Sequence, residues 1–159
     1  MTPDETNKHY RAKDHSKWQN NPLILGLEVH LSATSKKGAR CGLCQQLAGK
    51  YPKWFIWTGW HEGCMCFKTP VLMTRPTMDA YNRLIAMGED SNENVERVQA
   101  GELVTYLPDG FKTWVRSNIH DEDQFQIAPT WIRENFKTLT QLTDFTKQQR
   151  CNSNPGNLF

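Results

Sequence analysis

The chain has no apolar run long enough to span a bilayer. Its first ten residues, MTPDETNKHY, lack the apolar stretch of a secretory leader. These absences predict a protein kept in a reducing cytoplasm, without membrane contact, where clustered cysteines more often bind metal than pair. Hydrophobic residues are also scarce, at 38% of 159, and the mean hydropathy is −0.68. A chain of this size and polarity predicts one modest domain, or a small module with an extension, with a small core and long polar excursions. Enzyme signatures are missing as well. There is no nucleophile–base pair, no phosphate-binding loop and no convincing pair of carboxylates. The His61-Glu62 dipeptide lacks the second histidine of a zinc-protease HExxH helix. No internal repeat is present. The expectation is a protein that is not an enzyme.

Charge is nearly balanced, at +2, but it is unevenly spread. Residues 1–75 carry 11 Lys+Arg against 5 Asp+Glu, a net +6, and residues 76–159 carry 8 against 12, a net −4. A basic first half is compatible with an anionic partner, and equally with an ordinary solvated surface.

Against this background the cysteines stand out. Four of the five lie within 26 residues, as Cys41-x2-Cys44 and His61-x2-Cys64-x-Cys66. Zinc takes four ligands, prefers thiolate and imidazole, and often draws them as two close pairs across a loop. The spacing therefore predicts structural zinc held by four of Cys41, Cys44, His61, Cys64 and Cys66. His61 either coordinates or hydrogen-bonds a ligand. The competing reading of Cys41-Gly42-Leu43-Cys44 as a redox pair needs a long following helix, which Gly49 and Pro52 cut short. A catalytic zinc would keep a position open for water, with Glu62 as the adjacent base. Cys151 is a lone thiol.

The predicted organisation is α+β: a small zinc-stabilised β-hairpin and short-helix module with a helical C-terminal extension. Residues 1–22 form an N-terminal helical segment, with a polar surface helix over 4–20 that ends before Asn21-Pro22. Residues 23–75 form the Cys/His module. Within it, 23–32 alternate as a half-buried strand, with Leu25, Leu27, Val29 and Leu31 inward and Glu28, His30 and Ser32 outward. His30 reads as a solvent-face residue and a spare ligand. Residues 34–40 form a basic loop, and Cys41 to Ala48 a short helix stopped by Gly49. Trp54, Phe55, Trp57 and Trp60 predict a small aromatic core, with base stacking as the alternative. Residues 64–73 read as a second strand, on which Cys64 and Cys66 point the same way. Residues 76–147 form the helical extension. It contains helices over 77–87 and from Pro108 and Pro129, an acidic linker over 88–97, an extended piece over 102–107 and an acidic break at 121–123. Residues 148–159 form a disordered tail.

The cysteine-rich stretch also carries a family likeness. Cys44-Gln-Gln-Leu-Ala-Gly-Lys-Tyr-Pro52 is followed by Gly59-Trp60-His61-Glu62-Gly63-Cys64-Met65-Cys66. Later come Gly110-Phe111-Lys112-Thr113-Trp114 and Ala128-Pro129-Thr130-Trp131-Ile132-Arg133-Glu134-Asn135. In order and spacing these resemble the C-terminal module of phage head-morphogenesis proteins, the Mu-type minor head proteins. The resemblance covers most of residues 18–136. It departs from the family pattern HPxCRC at Glu62 and Met65, so any contact made by the family's arginine is missing. Members of the family carry a longer helical N-terminal region, so the chain looks like the distal part of such a protein, or a stand-alone remnant in a prophage or mobile element.

The resemblance implies a minor capsid role in virion assembly, at the portal or the capsid interior. The expected partners are portal or capsid proteins, and the location the virion or the host bacterial cytoplasm. Two other classes compete: a zinc-dependent nuclease or toxin-associated module built around His61 and Glu62, and a small DNA-binding protein. If DNA is bound, the expected contacts are Lys36, Lys37, Arg40, Lys50 and Lys53, with Lys68 nearby, on phosphates and without sequence preference.

Overall fold

Helix α1 (Pro3–Asn20) opens with a capping box. The Thr2 hydroxyl accepts from the Glu5 backbone N–H, and the Glu5 carboxylate accepts from the Thr2 N–H. The computed structural model describes residues 2–32 and 42–148. Among these it contains eight helices and three strands, an α+β fold.

The alternating run 24–30 forms strand β1 (Ile24–His30). It lies at the centre of an antiparallel sheet of order β2-β1-β3, flanked by β2 (Gly49–Tyr51) and β3 (Phe67–Leu72). Leu27 pairs with Tyr51 on one side and with Pro70 on the other. Pro70 has no N–H to donate, which suits β3 as one of the two edge strands among the described residues. Leu27 and Val29 point into the core, while Glu28 and His30 stay half-exposed. Helix α2 (Gly42–Leu47) ends before Gly49, whose φ of +145° only glycine adopts freely.

The second half supplies α3 (Arg75–Ala86), α4 (Asn92–Gln99), α5 (Asp109–Asn118), α6 (Glu122–Gln126), α7 (Thr130–Arg133) and α8 (Leu139–Lys147). Several elements depart from the sequence expectation. The acidic stretch 88–97 is not a linker throughout, because Ser91 caps α4 by accepting from the Asn94 N–H. The acidic break is a helix start, with the Asp121 carboxylate accepting from the Gln124 N–H. The extended piece over 102–107 is no strand, although the Val104 N–H donates to Leu25 O at 3.0 Å. The second strand begins at Phe67, so Cys64 and Cys66 lie in the loop before it.

The main core joins both halves of the chain. Its centre is aromatic. Trp60 meets Trp131 edge-on at 5.1 Å between ring centroids, and Phe55 meets Phe111 edge-on at 5.7 Å. Of the four aromatics in 54–60, Phe55, Trp57 and Trp60 are buried and Trp54 is half-buried. They pack the core rather than forming an exposed platform for bases. Gly110 lets α5 approach α2, because a Cβ there would overlap the Gln46 carbonyl oxygen. A smaller cluster of Leu25, Met73 and Tyr81 lies under α3 and α4.

Candidate metal centre

Cys44 comes from the middle of α2, and its thiol is buried. His61, Cys64 and Cys66 come from the loop 52–66, which has no regular ladder of its own. Side chains from the second half fix this loop. Asn135 accepts from the Ile56 N–H at 2.6 Å and donates to Ile56 O at 2.9 Å, as a neighbouring strand would. It also donates to Trp131 O at 2.8 Å, and the Trp131 indole N–H donates to Trp60 O at 3.0 Å. Two tight turns complete the loop, with Gly59 at φ +109° and Gly63 at φ +72°. The Cys64 N–H closes the second turn by donating to His61 O at 3.2 Å.

This folding brings the ligand atoms of Cys44, His61 and Cys64 within 4.8 Å of one another. Cys44 Sγ lies 3.1 Å from His61 Nε2. The other imidazole nitrogen, Nδ1, lies 2.7 Å from Glu62 O. A carbonyl oxygen only accepts, so that contact places the hydrogen on Nδ1. Nε2 then faces Cys44 Sγ and is the nitrogen presented to a metal. The Cys66 thiol is buried and interacts with those of Cys44 and Cys64. Burial, and then the neighbouring Cys64, push the Cys66 thiol up to about 11. Arg11 and a thiol contact with Cys44 pull the other way without offsetting burial, so with no metal bound the thiol stays protonated near neutral pH.

The donor set suits zinc. Cys44, His61 and Cys64 supply two thiols and one imidazole, and Cys66 stands beside both thiols as a further donor. Ordinary zinc bond lengths in a tetrahedron put a sulfur–nitrogen edge at about 3.5 Å, so the Cys44–His61 pair needs to open by only a few tenths of an ångström. The group could hold a metal ion. Cys44, Cys64 and Cys66 sit in the core cluster, while His61 and Glu62 face solvent. The indole N–H groups of Trp57 and Trp60 are buried in the same region with no acceptor among the described atoms.

Of the predicted ligands, Cys44, His61 and Cys64 are brought together, Cys66 lies beside the two cysteines, and Cys41 lies outside the described residues. The reason given for the Cys64–Cys66 pairing, a shared strand face, is replaced by a loop held from its two sides. His30 is not part of the group. Its Nε2 lies 2.7 Å from Thr69 Oγ1, and its ring stacks on Phe67 at 5.0 Å. Of the predicted DNA contacts, Lys36, Lys37 and Arg40 lie outside the described residues. Lys50 is exposed on β2, in register with Glu28. Lys53 is half-buried and donates to Asn21 O at 2.7 Å, and burial lowers its pKa. Lys68 donates to Arg11 O at 2.9 Å and lies over the Trp18 ring.

Sequence reasoning missed the clamps. Arg11, Asn135 and the Trp131 N–H are polar groups acting on backbone carbonyls, and no hydrophobic period marks them. Comparison with protein-family models, curated proteins and solved structures finds no match. The likeness to Mu-type minor head proteins therefore rests on the quoted motifs alone. Within those motifs, Gly110, Phe111, Trp131 and Asn135 all pack or bond against α2 or the ligand loop. Among the described residues, no helix is long and apolar enough to cross a membrane.

Proposed function

We propose that this chain is a structural assembly protein, a minor head protein of the Mu type acting at a phage portal or capsid interior, with a structural zinc. The observation that carries the zinc reading is the convergence of Cys44, His61 and Cys64 at the edge of the main core, with the Cys66 thiol beside the other two. Four protein donors complete a zinc shell and leave no position for a substrate water, which favours stabilisation over catalysis. The order and spacing of the quoted motifs carry the assembly reading. In this account the metal holds the loop 52–66 in the shape that the rest of the fold packs against.

Co-sedimentation tests the assembly role. The zinc-loaded protein should associate with the portal or capsid protein encoded beside it, and the zinc-free protein should not. Association that ignores zinc, or none at all, counts against it. One observation favours a second reading. His61 and Glu62 are adjacent and exposed at the edge of the site, where a nuclease would place them. Metal-dependent plasmid cleavage by clean protein, lost in Glu62→Gln, would establish that reading instead. DNA binding has less support, since Lys53 and Lys68 are committed to backbone carbonyls.

A further inference from the structure

Helix α1 does not dock as an amphipathic helix does. Its half-buried positions in the second half include Arg11, Asp14, His15 and Trp18, at helical spacing but mostly polar. Tyr10 is 62% exposed. An open groove of about 690 Å³, lined by Glu5, Lys8, His9, Ala12, Thr58 and Glu134, separates the first half of α1 from the loop and the α7 end. Hydrophobic burial therefore does little to hold residues 3–12.

Arg11 holds them. Its guanidinium donates to Thr58 O at 3.2 Å, Cys64 O at 2.8 Å and Cys66 O at 3.0 Å. It also lies over the Trp57 ring, 4.7 Å from the centroid. Gly59 leaves the room, since a Cβ there would meet the Arg11 Nη1. Two of the three acceptor carbonyls belong to cysteines of the metal group. They converge on one point only when the loop 58–66 is curled as the cluster requires. Charge acts in the same direction. A zinc with three thiolates and a neutral imidazole carries one net negative charge, and Arg11 is the cation bonded to the backbone of two of those cysteines.

We infer that Arg11 is a positioning residue that latches the first half of α1 to the zinc loop, so that metal occupancy and α1 docking are coupled. This rests on the zinc reading above. The coupling is reciprocal: whatever factor zinc adds to α1 docking, docking adds to zinc affinity. The second half of α1 is held separately, through Trp18, which packs against the main core with the Lys68 ammonium over its ring. The latch therefore governs residues 3–12 rather than the whole helix.

The test uses the full chain loaded with zinc, and in parallel with cobalt. Arg11→Ala should keep one metal per chain and an unchanged cobalt–thiolate spectrum. It should lose amide protection over residues 3–12 while β1 stays protected. Its zinc affinity, read at equilibrium by competition with a chelating dye, should fall by a factor in the range of roughly 5 to 150. Arg11→Lys keeps the charge but loses the fork. It should leave α1 undocked, with a zinc affinity between those of the parent and Arg11→Ala. If Arg11→Ala does not fold, the parent supplies the readout, because residues 3–12 should lose protection no later than β1 as zinc is withdrawn. Unchanged zinc affinity in a folded Arg11→Ala chain overturns the latch and leaves the zinc reading standing. So does a zinc-free parent that keeps residues 3–12 protected. A parent that binds no zinc overturns both.

Discussion

Replacing Asn135 with alanine should loosen the loop that carries three of the four candidate ligands. The amide makes three bonds, two to the Ile56 backbone and one to Trp131 O. A net hydrogen bond is worth about 0.5–1.5 kcal/mol, and a buried donor left without a partner costs about 1–3 kcal/mol. Asn135 and Ile56 are only half-buried, so water satisfies part of the loss and the lower ends apply. The expected cost is about 2–4 kcal/mol, or roughly 5–12 °C in Tm for a chain of this size. Asn135→Asp keeps an acceptor for the Ile56 N–H. It loses both donated bonds and turns a carboxylate toward two carbonyl oxygens, so it should cost at least as much. The assay is denaturant unfolding at fixed zinc and protein concentration, since bound metal adds stability by mass action. The midpoint should fall with an unchanged slope. A loss under about 0.5 kcal/mol for both variants would refute the claim that this side chain fixes the loop.

Gly110→Ala should destabilise by about 1–3 kcal/mol, although alanine is the better helix former, because its Cβ overlaps the Gln46 carbonyl oxygen; a neutral or stabilising result in thermal unfolding would contradict the close α2–α5 approach. Burial holds the Tyr51 phenol well above the ordinary tyrosine range, and its hydroxyl donates to Leu47 O at 2.6 Å. Its contribution is therefore fully present below the unfolded-chain pKa of about 10 and is lost as pH rises beyond it, because only the unfolded chain ionises there. Tyr51→Phe should cost about 1 kcal/mol near neutrality and flatten the alkaline fall in stability; parallel curves for the two proteins would count against this. Replacing Lys36, Lys37 and Arg40 together with alanine should lower the salt slope of any DNA binding without unfolding the protein, and parent-like binding by the triple variant would remove that loop from the account.

The sequence showed best what its local patterns carry. β1 was legible because Leu25, Leu27 and Val29 alternate with polar residues, and α2 because Gly49 stops it. The grouping of Cys44, His61 and Cys64 was legible because four cysteines, Cys41, Cys44, Cys64 and Cys66, and His61 crowd into 26 residues. α4 was read as a linker because Val95 and Val98 are its only apolar residues, although Ser91 was present as a capping cue. β2 spans only three residues, too few for any period to show, and α8 was not anticipated. The least legible features are those that shape the site. Arg11, Asn135 and Trp131 reach backbone carbonyls 47 to 79 residues away in sequence. Contacts of that range leave no trace in local composition.

The most direct test of the central claim is elemental analysis of the full chain purified without chelators, alongside single serine variants of Cys41, Cys44, Cys64 and Cys66. The account predicts one zinc per chain in the parent. It predicts metal lost or sharply weakened in Cys44→Ser and Cys64→Ser, and the Cys41→Ser and Cys66→Ser variants identify which of those two thiols supplies the remaining donor. Parent protein that is folded and free of metal would contradict it. So would full zinc retention in Cys44→Ser and Cys64→Ser, because the structure brings those two thiols and His61 together.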